Sequence, residues 1–224
     1  MNDSDEEKYL GDLVNKSGKI KATMDDRIAK GYGIITEIKA ILNEVPLARY
    51  KLEMGLQLRQ AILINGLLFN SEAWHSVTEK DIKGLAKIDE SLLRFLLGSQ
   101  SKAPIEMLFL ESGAIPIPQI LSSCRMIFFQ TLMKREDKEL TKRILNAQIN
   151  SSCPGDFIQL VKADFKCLEV PLDINLVEST GIEQFKKFIK IKVKAAGLRR
   201  LKRLQQTHSK VMNKKYEELE LHPT

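Results

Sequence analysis

The chain has 224 residues, of which 43% are apolar and 29% are charged, and its formal net charge is +6. This is an ordinary globular composition with enough length for one or two buried cores, so it excludes a disordered or fibrous protein for most of the chain. The three cysteines stand at spacings that match no zinc or disulfide framework, which argues against metal or redox chemistry.

The positive charge is concentrated in one segment near the C-terminus. Between Lys186 and Lys215 there are twelve Lys or Arg residues and not one Asp or Glu. Subtracting these twelve charges from +6 leaves −6 for the rest of the chain, which is therefore mildly acidic. Such an asymmetry predicts a polyanionic partner, either nucleic acid or an anionic membrane surface.

The first elements predicted along the chain are a strand and two helices. Residues 9–14 alternate in polarity and precede a turn-forming segment at 15–19, which predicts a strand that runs into a turn. Next, apolar residues at steps of four and three predict a helix of about five turns. These residues are Met24, Ile28, Gly31, Ile35, Ile38 and Leu42. Between Leu52 and Trp74 the apolar residues leave almost no polar face, which predicts a central helix covered on most sides.

Several further helices are indicated by the residues at their ends. Thr78 with Asp81 three residues later resembles a capping box, and Gly98 and Gly113 stand where helices end. Proline suits the first turn of a helix and is found at 104 and 118. The predicted helices cover residues 78–98, 105–112, 118–135, 139–148 and 156–167, with one loose helical turn in 171–181.

The predicted domain organisation follows from a clear breaker at residues 151–155, which reads Ser-Ser-Cys-Pro-Gly. We therefore expect an acidic start with a strand and turn at 1–19, a helical domain at 20–150 and a basic helical subdomain at 151–224. The fold class predicted is all-α, a multi-helix bundle with a short N-terminal β-strand or hairpin.

The basic segment is amphipathic over residues 185–196. Phe185, Phe188, Ile189, Val193 and Ala196 share one face of the predicted helix, and most of the lysines lie opposite them. The apolar stripe changes phase after Gly197, and glycine costs about 1 kcal/mol in a helix interior, so we expect a kink or break there.

The sequence predicts neither catalytic nor metal-ligating residues. The partial glycine motif at 31–33 lies in the middle of a predicted helix, where close packing explains it better than a phosphate. The three histidines are too scattered for a metal site. The pair Asp25 and Asp26 suits the first turn of a helix and has no second acid cluster nearby for two-metal chemistry.

Several short motifs occur in a definite order along the chain and carry a family resemblance. They are Lys8-Tyr9-Leu10-Gly11-Asp12, the turn at Gly18, Asp26-Arg27-Ile28-Ala29-Lys30-Gly31, Leu63-Ile64-Asn65-Gly66-Leu67-Leu68, Asn70-Ser71-Glu72-Ala73-Trp74 and Asp89-Glu90-Ser91-Leu92-Leu93-Arg94. Together they resemble the C-terminal part of the reverse transcriptase of non-LTR (LINE-type) retrotransposons, from the primer-grip strand through the helical thumb. The resemblance covers residues 8–150, and the later segment is similar to the tail of the same reading frames.

The resemblance implies contact with an RNA/DNA primer-template. The strand with Tyr9, Leu10 and Gly11 would hold the 3′ end of the primer, and the helices would pack against the duplex as a thumb. A thumb reads backbone shape and needs cationic side chains on rigid helices. The candidate phosphate contacts are Lys19, Lys21, Arg27, Lys186, Lys187, Lys190, Lys194, Arg199, Arg200 and Arg203.

The chain also departs from the family. Family polymerases carry the aspartates that bind two metal ions in a palm that precedes the primer-grip strand, and only eight residues precede Tyr9 here. We therefore expect that this chain is not an enzyme by itself, that it has no cofactor and that Mg²⁺ would belong to the missing palm. The oligomeric state is not predicted.

Two other classes of function stay open. The basic amphipathic region 185–204 could serve an all-α protein-interaction module or dock on an anionic membrane. The second class is an enzyme whose acidic residues are dispersed along the sequence.

The longest apolar run, at 61–69, is far shorter than the ~20 residues of a membrane span. Because the acidic start does not resemble a signal or transit peptide, we expect an intracellular protein, nuclear or cytoplasmic.

Overall fold

The computed structural model describes residues 6–9, 12–15, 20–45, 48–74, 77–99, 103–151, 153 and 156–220. The chain begins with an antiparallel hairpin of β1 (Glu6–Tyr9) and β2 (Asp12–Asn15), in which Tyr9 pairs with Asp12 and Glu6 with Asn15. The hairpin of the expected fold is therefore present, but the prediction of a single strand over residues 9–14 is wrong. Two short strands satisfy each other's backbone groups, which a lone strand cannot do.

Ten α-helices make up most of the rest of the described chain, and the protein is an all-α multi-helix bundle. They are α1 (Lys21–Asn43), α2 (Ala48–Leu58), α3 (Asn65–Leu67), α4 (Glu79–Leu96), α5 (Ile105–Ser112), α6 (Ile117–Met133), α7 (Leu140–Ser151), α8 (Phe157–Cys167), α9 (Ile174–Ser179) and α10 (Ile182–Glu220). A π-helical segment, Arg59–Ile64, joins α2 to α3 without a break, and a 3₁₀ turn follows at Ser71–Ala73.

A first core forms where α1, α3, α4 and the start of α6 meet. The predicted stripe of α1 is confirmed, since Met24, Gly31, Ile35, Ile38 and Leu42 are all buried. Leu63, Leu67 and Trp74 of the central helical segment are buried in the same core. That segment is less completely covered than predicted, because Ile62 and Phe69 are 41% and 54% exposed.

The ends of α4 and α5 are set by local signals. The Thr78 hydroxyl accepts a hydrogen bond from the Asp81 backbone N–H, and the Asp81 carboxylate accepts one from the Thr78 backbone N–H, which confirms the capping box. Gly98 and Gly113 follow their helices with φ of 59° and 66°. Glycine adopts this left-handed conformation without the steric cost that a Cβ imposes, so both helices end where the sequence predicts.

A second core joins the later helices to α6. Its members come from both sides of residue 150, and among them are Met126, Phe129 and Leu145 before it and Phe165 and Ile189 after it. Helix α6 contributes to both cores, since Ile117 and Leu121 at its start are buried in the first. With 17 residues, α6 is therefore long enough to take part in both cores and to connect them.

Helix α10 is continuous through Gly197, so a break there, one of the two predicted outcomes, is wrong. It runs for 39 residues, which is about 58 Å at a rise of 1.5 Å per residue. Phe185, Ile189 and Val193 on its first half are buried in the second core. This packing, with alanines at 195 and 196 before the glycine, offsets the cost of about 1 kcal/mol that glycine brings to a helix interior.

Candidate functional site

The first half of α10 presents a row of lysines, here called the lysine flank, made of Lys186, Lys190 and Lys194. Residues four apart advance by about 6 Å and turn by only about 40°, so the three side chains follow one side of the helix. Lys190 and Lys194 are exposed, and Lys187 is exposed beside them. Lys186 is 2.8 Å from Glu183, and this hydrogen bond lowers the pKa of the Glu183 carboxyl. The flank therefore keeps most of its positive charge.

A groove lies beside the lysine flank. It has a volume of about 560 Å³ and is formed between α10, the segment that links α5 to α6, and the end of α2. Lys190, Lys194, Gln60, Ser112 and Ser123 are the polar residues that face it together with Arg59. Among the described residues that line the groove there is no Asp or Glu, and the unpaired charges at its edge are those of Lys190 and Lys194.

A buried ion pair between Arg59 and Asp89 stabilises the wall of the groove that contains Arg59 and Ile115. Nε and Nη2 of Arg59 donate to the two carboxylate oxygens of Asp89 at 2.5 and 2.6 Å, and Nη2 also donates to the Ile115 carbonyl at 2.9 Å. The two side chains are 5% and 0% exposed. Burial raises the pKa of Asp89, and the hydrogen bonds from Arg59 oppose that rise. Arg59 thus ties α4 to the segment before α6.

Two other basic residues of α10, Arg199 and Arg203, lie on its other side. Arg199 and Arg203 approach the Glu169 carboxylate at 3.4 and 3.5 Å. They line a second pocket of about 330 Å³ between α6, the end of α8 and α10. We call it the arginine pocket. The structure thus places the candidate phosphate contacts of α10 on two sides of the helix, and the side chain of Arg200 lies outside the described part.

Other predicted contacts fall elsewhere. Lys21 is exposed and forms an ion pair with Asp25, whose hydrogen bond raises the pKa of Lys21. Arg27 is only 8% exposed, and its Nη1 donates to the Gly66 carbonyl at 2.8 Å while the guanidinium lies over the Phe69 ring. Because Arg27 joins α1 to α3 inside the fold, we leave it out of the candidate surface.

The primer-grip residues are described only in part. Tyr9 lies in β1 and pairs with Asp12, and β2 lies against α1. Leu10, Gly11 and Lys19 lie outside the described residues, so their predicted roles stay predictions.

Two polar residues of the arginine pocket were missed by the sequence analysis. Gln119 is 7% exposed, and its Oε1 has no hydrogen-bond partner among the described residues. Glu169 follows the end of α8 with a φ of 57°, at a position that glycine usually occupies. Nothing in the sequence around Gln119 distinguishes it, because a polar residue in the first turn of a helix is common.

The described residues contain neither a cluster of metal ligands nor a helix suited to crossing a membrane. In that part of the chain, no three His, Cys, Asp or Glu side chains stand close enough together to hold a metal ion. In the same part, every helix falls short of the length and apolar character that crossing a membrane requires.

Comparison of the chain with protein-family models, with curated proteins and with solved structures gives no match.

Proposed function

We propose that the chain binds the sugar-phosphate backbone of nucleic acid through the lysine flank of α10 and the groove beside it. The observation that supports this most directly is the row of Lys186, Lys190 and Lys194 next to a groove whose described lining contains no acid. Side chains of this kind contact phosphates without reading base sequence. The expected partner is therefore recognised by its shape and charge.

The resemblance to the thumb of a non-LTR retrotransposon reverse transcriptase gives this proposal its more specific form. A primer-template of RNA and DNA has A-like geometry, which proteins read through backbone contacts. Helices α1 to α6 would give the rigid support and α10 the cations. In this proposal the chain positions nucleic acid and carries no catalytic residue, since phosphoryl transfer would rely on the aspartates of a palm.

The burial of α10 argues against the membrane-docking alternative. Insertion into a membrane surface needs the apolar face of the helix. Phe185, Ile189 and Val193 of that face are at most 4% exposed because they pack in the second core. Docking through this half of α10 would open the core, whereas a polyanion can bind the lysines with the core intact.

The test is the salt dependence of binding to an RNA/DNA hybrid. Each phosphate contact that is lost reduces the slope of log K against log salt by about 1, so Lys190→Gln with Lys194→Gln reduces it by about 2. The matched control is Lys80→Gln with Lys83→Gln, which removes the same charge from exposed positions of α4. Fluorescence anisotropy at several salt concentrations measures both. Equal slopes for the two double variants, or binding that does not respond to salt, would overturn the proposal.

A further inference from the structure

The exposed side of α10 carries a row of apolar side chains, here called the outer stripe, made of Phe188, Ile191, Ala195 and Leu198. Ile191 is 68% exposed, Phe188 and Leu198 are 38% and 37% exposed, and Ala195 is half-buried. Successive residues of a helix turn by about 100°, so the four positions fall within an arc of about 80°. This arc lies on the side of α10 away from the residues that pack in the second core. The described part of the chain therefore leaves the outer stripe largely uncovered.

The spacing of the outer stripe is that of a coiled-coil contact. Its residues follow one another at steps of three, four and three, which are the steps between positions a and d of a heptad repeat. A stripe limited to positions a and d is narrower than the face by which a helix packs in a globular core. The next positions along the same line are Gln184 and Lys202, so the apolar part spans about three turns. Its shape therefore fits one helix of about that length.

Positive charges border the outer stripe on both sides. In the same heptad register every e and g position between residues 187 and 199 is basic, and these border cations are Lys187, Lys192, Lys194 and Arg199. Among the described residues, Arg199 is the one border cation with an ion-pair partner, the Glu169 carboxylate at 3.4 Å. That pair is exposed and therefore weak. Lys192 lies 5.4 Å from the centroid of the Phe188 ring, so its charge stays beside the stripe.

This charge pattern distinguishes a second copy of the chain from a different partner. Two copies that met along their outer stripes would set border cations against border cations, whether the two helices ran parallel or antiparallel. Like charges that face each other across an interface suppress binding. A helix with Glu or Asp at its own e and g positions would meet opposite charges instead. The charges therefore favour an acidic amphipathic helix as the occupant.

The way α10 is held favours a protein helix over a membrane surface. Phe185, Ile189 and Val193 on its inner side are at most 4% exposed, so the fold fixes the helix and binding needs no further ordering of it. A helix that inserts into a membrane surface buries its apolar face by about 5 to 10 Å. Because the border cations stand directly beside a narrow stripe, such insertion is limited. A contact between two helices needs only the narrow stripe.

We propose that the outer stripe docks an acidic amphipathic helix of another protein. The partner packs the apolar side chains of its own a and d positions on the stripe and sets Glu or Asp against the border cations. This surface shares only Lys194 with the lysine flank. The inference therefore stands or falls separately from the binding of nucleic acid.

The first test measures binding of the full chain to a fluorescent synthetic peptide of about three heptads, with Leu at a and d and Glu at e and g, by anisotropy. Ile191→Ser should weaken binding at least about tenfold, because it removes the most exposed side chain of the stripe. Leu140→Ser is the matched control, since Leu140 of α7 is also 68% exposed, and it should leave binding unchanged. Both variants should keep the wild-type thermal midpoint. No binding by the wild-type chain, or equal binding by the two variants, would overturn the proposal.

A second test concerns the border cations. Lys187→Glu with Lys192→Glu should reduce the preference for this peptide, over one with Lys at e and g, by at least about tenfold. A scrambled peptide of the same acidic composition should bind far more weakly, because it has no apolar seam. If the scrambled and ordered peptides bind equally, charge alone acts and the proposal is wrong.

Two further measurements assign the stripe to another occupant if the proposal fails. Co-sedimentation of the chain with vesicles of phosphatidylserine and phosphatidylcholine, abolished by Ile191→Ser and without binding of the acidic peptide, would identify a membrane surface. A dimer in analytical ultracentrifugation that Ile191→Ser dissociates would identify a second copy. Either result would overturn the acidic helix. Ile191→Ser should keep the full salt slope of binding to the RNA/DNA hybrid, so the proposed function is tested independently.

Discussion

At the scale of single residues, the buried polar groups decide how the helices meet. Arg59 and Asp89 are nearly completely enclosed and join the π-helical segment to α4. Desolvating two charges is expensive, and the geometry recovers this cost only because both carboxylate oxygens and the Ile115 carbonyl accept hydrogen bonds from the guanidinium. Removing one partner would leave the other charge buried without compensation.

We therefore expect Asp89→Leu to lower the free energy of unfolding by about 4 kcal/mol. Combining it with Arg59→Met should restore most of that loss, because two apolar side chains replace two buried charges. Urea unfolding followed by circular dichroism measures both. Arg135→Met is the control: it breaks the exposed pair with Glu139, in which the arginine is 47% exposed, and should cost less than about 1 kcal/mol. Equal losses for the single and double variants would contradict this account.

At the scale of elements, α1 shows how one helix carries two glycines with different roles. Gly31 faces the first core, where an added Cβ would lie 2.7 Å from Leu67 Cδ2 and 2.9 Å from Ile88 Cδ1. Gly33 lies on the exposed side, and an added Cβ there would meet nothing within 4 Å. Close packing at Gly31 is therefore confirmed as the reason for the first glycine of the motif at 31–33.

The two glycines predict opposite effects of the same substitution. Gly33→Ala should raise the free energy of unfolding by about 1 kcal/mol, because alanine restricts the unfolded chain and favours helix. Gly31→Ala should lower it by up to about 2 kcal/mol, because overpacking a closed core costs about 1 to 3 kcal/mol and outweighs the same helix gain of about 1 kcal/mol. Thermal unfolding of the two variants measures the difference. A gain in stability for both would show that α1 moves away from α3 and α4 at little cost.

At the scale of the whole molecule, α6 makes the two cores depend on each other. Its first turns are buried in the first core with Trp74, and Phe129 in its second half packs edge-to-face on Phe165 in the second. A loss of packing in one core therefore changes the position of a helix that the other core needs. We expect the two cores to unfold as one cooperative unit.

Phe129→Ala tests this coupling, because Phe129 is fully buried and its loss should cost about 3 to 5 kcal/mol. Trp74 is the only tryptophan of the chain and reports on the first core. Its fluorescence transition in urea should shift together with the circular dichroism transition. A Trp74 transition that stays at the wild-type midpoint while helix is lost earlier would show that the cores are independent.

The sequence by itself determined the all-α class, the buried stripe of α1 and the ends of α4 and α5. These features depend on periodicity, capping and glycine conformation, which act within a few residues of one another. It also located the basic segment, since charge is a property of composition. The continuity of α10 through Gly197 was not predictable, because packing against distant helices outweighs a local cost of about 1 kcal/mol.

Only the tertiary structure decided which polar residues meet. Arg59 and Asp89 are 30 residues apart, and Gln119 is 80 residues from Arg199, so no local pattern marks either group. The division of the basic residues between the lysine flank and the arginine pocket was decided in the same way. It depends on how α10 is rotated against α5, α6 and α8, and burial of Phe185, Ile189 and Val193 sets that rotation.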